Sequence, residues 1–114
     1  MSILGKAVYL AGPMTGYPDY NFPAFASAAN RLRAIGFNVV SPHEFGEGDS
    51  SKTWADYLRQ DLAAMLDGCN SVATLYGWEN SRGATLEVHV AQALGMQVES
   101  VEWWATQPVI GLPL

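Results

Sequence analysis

Cysteine and basic side chains are scarce in this sequence, and each shortage excludes a class of protein. Its 114 residues contain one cysteine, Cys69, so no internal disulfide can form and a reducing compartment suits the chain. Six Lys and Arg against eleven Asp and Glu give a net charge of −5. That balance argues against a nucleic-acid polymer as a partner, because a nucleic-acid backbone requires clustered cations. A free nucleotide needs only one or two cationic contacts, so it is not excluded.

Histidine and long apolar runs are scarce as well. The two histidines, His43 and His89, share no metal-ligand spacing with Cys69, so we expect neither a metal nor another cofactor. No run of about 18 apolar residues occurs, and the first residues lack the basic region and apolar stretch of a secretion signal. We therefore expect no membrane partner and a cytoplasmic location.

Short apolar runs alternate with amphipathic segments along most of the chain. The apolar runs predict buried strands at 6–11, 37–41, 71–76 and 97–101. The amphipathic segments have helical spacing and predict helices at 23–35, 53–66 and 82–94. This alternation, with short connections, predicts an α/β fold in three layers: a parallel sheet of four to five strands with helices on both faces.

The last residues differ in character from the rest of the chain. A length of 114 residues suffices for one domain, which we place at residues 1–102. Residues 103–114 form a tail that begins with two tryptophans and is too apolar to be an ordinary solvated end. We expect this tail to contact another subunit in a homodimer or higher homo-oligomer. Packing of the tail on its own domain is the alternative.

The loops after the first three strands open on one edge of the predicted sheet, where parallel α/β folds bind ligands. The first and third loops contain glycines, which let a backbone approach a ligand closely, and the hydroxyls of Thr15 and Ser81. Arg82 adds a fixed positive charge suited to a phosphate, although a solvated arginine beside tight turns is the alternative. We expect substrate contacts from Gly12, Pro13, Met14, Thr15, Gly16, Ser81, Arg82 and Gly83.

Glu87 is the first candidate for a catalytic residue. It lies about one turn inside the third predicted helix, whose free N–H groups suit a phosphate or sugar oxygen at the helix mouth. Its carboxylate would face a ligand held there. Tyr9 places a hydroxyl in the first buried strand, and that hydroxyl needs a partner. Tyr9 either steadies Glu87 or is an ordinary core tyrosine.

Asp61 is a second candidate, because it interrupts an apolar helix face. That stripe consists of Trp54, Leu58, Asp61 and Met65. A carboxylate on such a face is costly unless it is hydrogen-bonded or used in chemistry. The alternative to a functional role is a pairing with Arg59 or Lys52, although Arg59 projects to a different face of the helix.

The order of the motifs resembles a known group of proteins. The matching elements are the stretch Tyr9 to Gly16, then Asn21 and Phe22, residues 32–42, Asp61-Leu62, Gly77-Trp78, the segment Ser81 to Ala84, and Glu87. They resemble a small uncharacterised domain family common in phage and bacterial genomes. That family is similar to the nucleoside 2-deoxyribosyltransferases and the deoxyribonucleoside 5′-monophosphate N-glycosidases. The likeness spans about residues 7–101.

This resemblance implies a Rossmann-like or flavodoxin-like sheet and a nucleoside or nucleotide as the small-molecule partner. Glu87 would attack the anomeric C1′ of a 2′-deoxyribonucleoside, and the covalent deoxyribosyl-enzyme would pass the sugar to another base or to water. Asp61 matches an aspartate near the base, and Tyr9 matches a tyrosine that orients the glutamate. Asn21 and Phe22 match positions in the substrate-binding part of the motif.

The sequence also departs from the transferase pattern. Transferases usually carry an aspartate about six residues before the glutamate, and Ser81 stands there in this chain. This loss, beside Arg82 and Gly83, favours a 5′-phosphate site and a nucleotide hydrolase over a base-exchange enzyme. Two other classes stay open. One is a phosphoribohydrolase-like enzyme, whose double glycine is missing before Ser81, and the other is a non-catalytic nucleotide-binding module on the same fold.

Overall fold

Strands and helices alternate in the computed structural model, which describes residues 7–45 and 51–107. The strands are β1 (Ala7–Ala11), β2 (Asn38–Val40), β3 (Cys69–Thr74) and β4 (Gln97–Ser100). The helices are α1 (Phe22–Ala34), α2 (Trp54–Gly68), α3 (Arg82–Ala93) and α4 (Val101–Ala105). Short 3-10 turns lie at Pro42–Glu44 and Trp78–Asn80, and a turn with left-handed backbone angles lies at Pro18–Asn21. The predicted α/β class is confirmed.

The sheet is parallel throughout and has the strand order β2-β1-β3-β4. The chain leaves β1 for β2 on one side and later returns to place β3 on the other side of β1. The loops after β1 and β3 therefore lie side by side at the point where the strand order reverses. This is where an open parallel sheet offers a crevice for a ligand.

The core lies on both faces of the sheet, because side chains alternate along each strand. On one face, Val8 and Leu10 pack with buried residues of α1 and α4, including Phe25 and Trp104. On the other face, the buried cluster consists of Tyr9, Ala11, Met65, Val72, Ala84, Val88 and Ala91, contributed by the sheet, α2 and α3. The result is the expected three-layer arrangement, compatible with a Rossmann-like or flavodoxin-like sandwich.

The helices that border the site begin at polar capping residues. Thr53 and Asp56 form a reciprocal capping box at the start of α2, with N–H···O distances of 2.9 and 3.1 Å. Ser81 caps α3 by accepting a hydrogen bond from the N–H of Ala84 at 3.2 Å. The predicted cap at Thr53 is confirmed, and α2 continues two residues beyond its predicted end, to Gly68.

The beginning of the predicted tail is a short helix rather than an extended end. Ser100 caps α4 and ends β4 one residue before its predicted limit. Trp104 is buried against its own domain, and its indole N–H donates to the carbonyl of Val72 at 2.9 Å. Trp103 is 37% exposed. The expected subunit contact stays a prediction for Trp103 and for residues 108–114, which lie outside the described residues.

The described parts of the chain contain neither a helix that could span a membrane nor a cluster of metal ligands. None of the helices there has the length and apolar character needed to cross a membrane. Within residues 7–45 and 51–107 there is also no group of three His, Cys, Asp or Glu side chains that could hold a metal ion.

Candidate active site

A cavity of about 390 Å³ lies at the carboxyl edge of the sheet, beside the loops that follow β1 and β3. We call it the Glu87 cavity. Its wall consists of Gly12, Met14, Thr15, Tyr20, Pro42, Lys52, Trp54, Tyr57, Leu58, Asp61, Ser81, Gly83, Ala84 and Glu87. Its volume falls in the range of small-molecule sites, about 300–1,000 Å³. The structure therefore brings both candidate carboxylates, Asp61 and Glu87, to one concave surface.

Glu87 combines deep burial with a place in this wall. It lies one turn after Ala84 on the buried face of α3 and is only 4% exposed. Burial raises the pKa of Glu87 from its ordinary 4.5 to about 8; the hydrogen bond from Tyr9 opposes the rise, and the nearby charge of Asp61 adds to it. The carboxyl group is therefore largely protonated at neutral pH and becomes an anion in mildly alkaline solution.

Tyr9 lies behind Glu87 and orients it. Its side chain is fully buried in β1, and its hydroxyl donates to Glu87 Oε2 at 2.7 Å. Burial, together with the neighbouring Glu87, raises the pKa of Tyr9 well above its ordinary value of 10.0. The phenol therefore remains a hydrogen-bond donor at any physiological pH. Of the two interpretations left open by the sequence, this contact favours the one in which Tyr9 steadies Glu87.

Asp61 reaches the cavity from α2. The two basic residues that the sequence offered as partners make other contacts: Arg59 lies 3.9 Å from Asp56, and Lys52 donates to Gln60 Oε1 at 3.0 Å. The charge of Asp61 raises the pKa values of both Glu87 and Tyr9, which shows that it is electrostatically coupled to the buried pair. Asp61 is thus part of the same electrostatic site.

The predicted substrate-binding residues separate into three groups. The first group lines the Glu87 cavity and consists of Gly12, Met14, Thr15, Ser81 and Gly83. The second group, Pro13 and Arg82, lines an adjoining cavity of about 400 Å³, which we call the Arg82 cavity. The third group, Gly16, Asn21 and Phe22, is found in the wall of neither cavity. Asn21 instead supports the loop, because its side-chain amide donates to the carbonyl of Pro13 at 2.9 Å.

Trp54 separates the two cavities. Its indole belongs to the wall of both, and the Arg82 guanidinium carbon lies 4.2 Å from its ring centroid. Such a stack is a cation–π contact, to which arginine is well suited. The positive charge predicted for the site therefore faces the Arg82 cavity, next to Thr15, Ser81 and Gly83, which border both cavities.

Gly12 allows the loop after β1 to approach the end of β3. A Cβ atom on Gly12 would lie 2.8 Å from Leu75 Cβ and 3.3 Å from the ring of Phe25, so a larger residue would displace the core. Glycine is therefore required at this position because Leu75 and Phe25 pack closely against its backbone.

One family model matches residues 6–100, and its description reads "Domain of unknown function (DUF4406)". The match covers most of the 114 residues, including every strand and the whole candidate site. The chain belongs to the DUF4406 family. No curated protein was found to match it.

Sequence reasoning missed several residues of the Glu87 cavity. Lys52 and Tyr57 were not predicted to contact a ligand, and Trp54 and Leu58 were assigned only to an apolar stripe. The sequence did contain a signal for Trp54 and Leu58: the carboxylate of Asp61 on the same stripe indicates that this helix face is not entirely buried in the core. Tyr20 was also missed; it lies in a turn with three successive positive φ angles, 52°, 53° and 62°, at residues 19–21. No simple sequence pattern predicts that turn.

Proposed function

We propose that this DUF4406 domain cleaves the N-glycosidic bond of a 2′-deoxyribonucleoside or its 5′-monophosphate, with Glu87 as the nucleophile. The observation that carries the proposal is the buried Glu87 carboxyl group, held by the Tyr9 hydroxyl at 2.7 Å in the wall of a cavity large enough for a nucleoside. The resemblance of the motifs around Gly12, Ser81 and Glu87 to deoxyribosyltransferases and monophosphate N-glycosidases supports the same chemistry.

In the proposed reaction, ionised Glu87 attacks C1′ of the sugar while the bond from C1′ to the base nitrogen breaks. A carboxylate can both stabilise the oxocarbenium-like transition state and trap the sugar as an ester. Water then attacks C1′ and releases Glu87 and the free sugar. Asp61 lies on the same wall. We assign it the role of accepting a hydrogen bond from the base. Tyr9 keeps the Glu87 oxygen in position and lowers the cost of its ionisation.

We further propose that the Arg82 cavity receives the 5′-phosphate. Arg82 is the first residue of α3 and lines this cavity with Gly83; a positive charge and the start of a helix both favour an anion. Ser81 occupies the position where transferases carry an aspartate, which removes a negative charge from the border of the two cavities. These features favour a nucleotide hydrolase over a base-exchange enzyme.

Glu87→Gln tests the nucleophile. Glutamine keeps an oxygen for the Tyr9 hydroxyl but cannot form the sugar ester, so the variant should fold and bind ligand while base release falls by at least about 10³-fold. The substrates are 2′-deoxyribonucleosides, their 5′-monophosphates and the matching ribonucleotides. Base release from the ribonucleotides would support the phosphoribohydrolase-like alternative. Free base is measured by chromatography at a pH of about 8.5, with and without a second base as acceptor.

Glu79→Gln is the matched control, because Glu79 is exposed and belongs to the turn before α3. It should retain the rate of the unmodified protein. Turnover by Glu87→Gln at that same rate would reject Glu87 as the nucleophile.

Arg82→Ala tests the phosphate site. A charge-assisted hydrogen bond is worth about 1.5–3 kcal/mol, so the variant should bind a deoxynucleoside monophosphate about 10- to 100-fold more weakly and the nucleoside almost unchanged. Calorimetry in the Glu87→Gln background measures both affinities without turnover. Arg31→Ala serves as the control, since Arg31 is exposed on α1 and pairs with Glu102 at 3.8 Å. Equal losses of affinity for the two ligands would reject the proposed phosphate site.

A non-catalytic nucleotide-binding module is the second candidate. It is favoured by the raised pKa of Glu87, about 8, because a protonated carboxyl group is not a nucleophile at neutral pH. Monophosphate binding without base release at any pH up to about 9 would support this alternative over the glycosidase.

A further inference from the structure

We propose that Lys52 stabilises the departing nucleobase, by donating a hydrogen bond from its ammonium group to a carbonyl oxygen or ring nitrogen of the base. This inference rests on the proposed function, since it concerns the leaving group of the same reaction. It assigns separate tasks to the two cations near the site: Arg82 receives the phosphate and Lys52 receives the base.

The position of Lys52 distinguishes it from the other described basic side chains. Of the basic side chains in the described parts of the chain, Lys52 is the one in the wall of the Glu87 cavity. Arg82 faces the adjoining cavity and stacks on Trp54. The other described arginines each pair with a carboxylate elsewhere: Arg31 with Glu102, Arg33 with Glu44 and Arg59 with Asp56.

The Lys52 ammonium is held in place by contacts within the protein. Its Nζ donates to Gln60 Oε1 at 3.0 Å and lies 5.6 Å from the centroid of the Tyr57 ring. Gln60 is itself fixed, because its amide donates to the carbonyl of Phe45 at 3.2 Å. Lysine has three N–H donors, and Gln60 uses one of them. A positioned ammonium costs little reorganisation when charge develops beside it.

The acidic groups in the wall of the Glu87 cavity also favour this role for Lys52. Two carboxyl groups, Asp61 and Glu87, share this wall with Lys52. A phosphate beside them would be repelled in the ground state, whereas a base is neutral until the glycosidic bond begins to break. The cation of the Glu87 cavity therefore acts best on the group that becomes negative during the reaction. This is the form of electrostatic catalysis that raises the rate rather than the affinity alone.

In the proposed step the base leaves as an anion. Glu87 forms a bond to C1′, and the electron pair of the broken C1′–N bond passes to the base. The resulting base anion accepts a hydrogen bond from Lys52 and takes its proton from water as it leaves. Lys52 keeps its own proton, so it returns unchanged to the next cycle.

A series of leaving groups tests this role. The substrates are 2′-deoxyuridine 5′-monophosphates with unsubstituted, 5-bromo and 5-fluoro bases, which differ in how well the free base carries negative charge. Lys52→Met should reduce kcat/KM by about 100-fold for the poorest leaving group and by less than about tenfold for the best. Rates are compared on the alkaline plateau of each pH profile, so that a change in Glu87 ionisation does not contribute.

Lys52→Arg and Arg59→Met complete the design. The first keeps a cation and should restore part of the rate for the poorest leaving group; the second removes an exposed cation of α2 outside the cavity and should change nothing. If Lys52→Met does not fold, Lys52→Gln replaces it. If Lys52→Met lowers kcat/KM equally for all three bases, or not at all, the role of Lys52 is overturned. Base release by the unmodified protein would in that case still uphold the proposed function. Absence of base release by the unmodified protein overturns both.

Discussion

At the scale of single residues, the proposed reaction requires Glu87 to be buried and also to ionise. The low-dielectric surroundings that raise its pKa to about 8 also remove the water that would otherwise solvate the carboxylate. Tyr9 moderates this conflict, since a hydroxyl that donates to Glu87 stabilises the anion more than the acid. A carboxylate freed from water yet held by one donor is well suited to attack an electrophilic carbon.

In the proposed reaction only the ionised form of Glu87 is a nucleophile, so kcat/KM should rise with pH, with a midpoint of about 8, and level off roughly one pH unit higher. Tyr9→Phe removes the hydrogen bond that lowers the Glu87 pKa, so its profile should shift to higher pH and its plateau should fall. Rates measured from pH 6 to 10 give both midpoints. Tyr76→Phe is the control, as Tyr76 is 97% exposed. Identical midpoints for Tyr9→Phe and the unmodified protein would contradict this account of Tyr9.

At the scale of elements, the loop after β1 depends on a strained turn. Asp19, Tyr20 and Asn21 have φ angles of 52°, 53° and 62°, in the left-handed region that L-residues other than glycine seldom adopt. The Asn21 amide offsets this strain by donating to the carbonyl of Pro13 at 2.9 Å. The turn brings Tyr20 to the Glu87 cavity.

Two substitutions at Asn21 separate strain from hydrogen bonding. Asn21→Gly keeps the left-handed backbone but loses the bond to Pro13, which should lower the free energy of unfolding by about 1 kcal/mol. Asn21→Ala loses the bond and also places an alanine at positive φ, which should cost about 1 kcal/mol more. Urea denaturation measures both. Asn30→Ala, at an exposed site on α1, is the control. Equal stabilities of the two Asn21 variants would show that the strain is negligible.

Helix α2 shows how far periodicity predicts a site. Its apolar stripe and its Thr53 cap are evident in the sequence, and both are present in the structure. The stripe nevertheless serves two surfaces, because Met65 is buried in the core while Trp54, Leu58 and Asp61 face the cavity. In the sequence, the carboxylate of Asp61 indicated that this part of the stripe is not buried in the core. No pattern in the sequence indicated that Lys52 lines the same cavity.

At the scale of the whole molecule, the end of the chain contributes to the core and is predicted to contact another subunit. Trp104 completes the core through its bond to Val72, so truncation before it would damage the domain. Trp103 is partly exposed and precedes the apolar residues 108–114. Residues 108–114 lie outside the described residues but are apolar in composition, and a contiguous apolar surface, where exposed, marks a contact site between proteins.

We predict that the full chain forms a two-fold homo-oligomer and that a chain ending at Gln107 is monomeric, because the shorter chain keeps Trp104 but lacks the last apolar residues. Light scattering at micromolar concentration measures both masses. Circular dichroism controls for the fold of the shorter chain. A monomeric full chain would contradict the prediction and would leave the site to be built from one copy.

The sequence by itself determined the α/β class, the positions of the strands and the three longer helices, and the meeting of Gly12, Ser81 and Glu87 at one edge. Those features follow from local periodicity, capping residues and the rule that parallel strands end together. Only the tertiary structure decided that Lys52 lines the Glu87 cavity, that Arg82 turns to the adjoining one and that Trp104 enters the core. Each of these depends on contacts between elements distant along the chain, such as Arg82 with Trp54 or Trp104 with Val72, which local patterns do not encode.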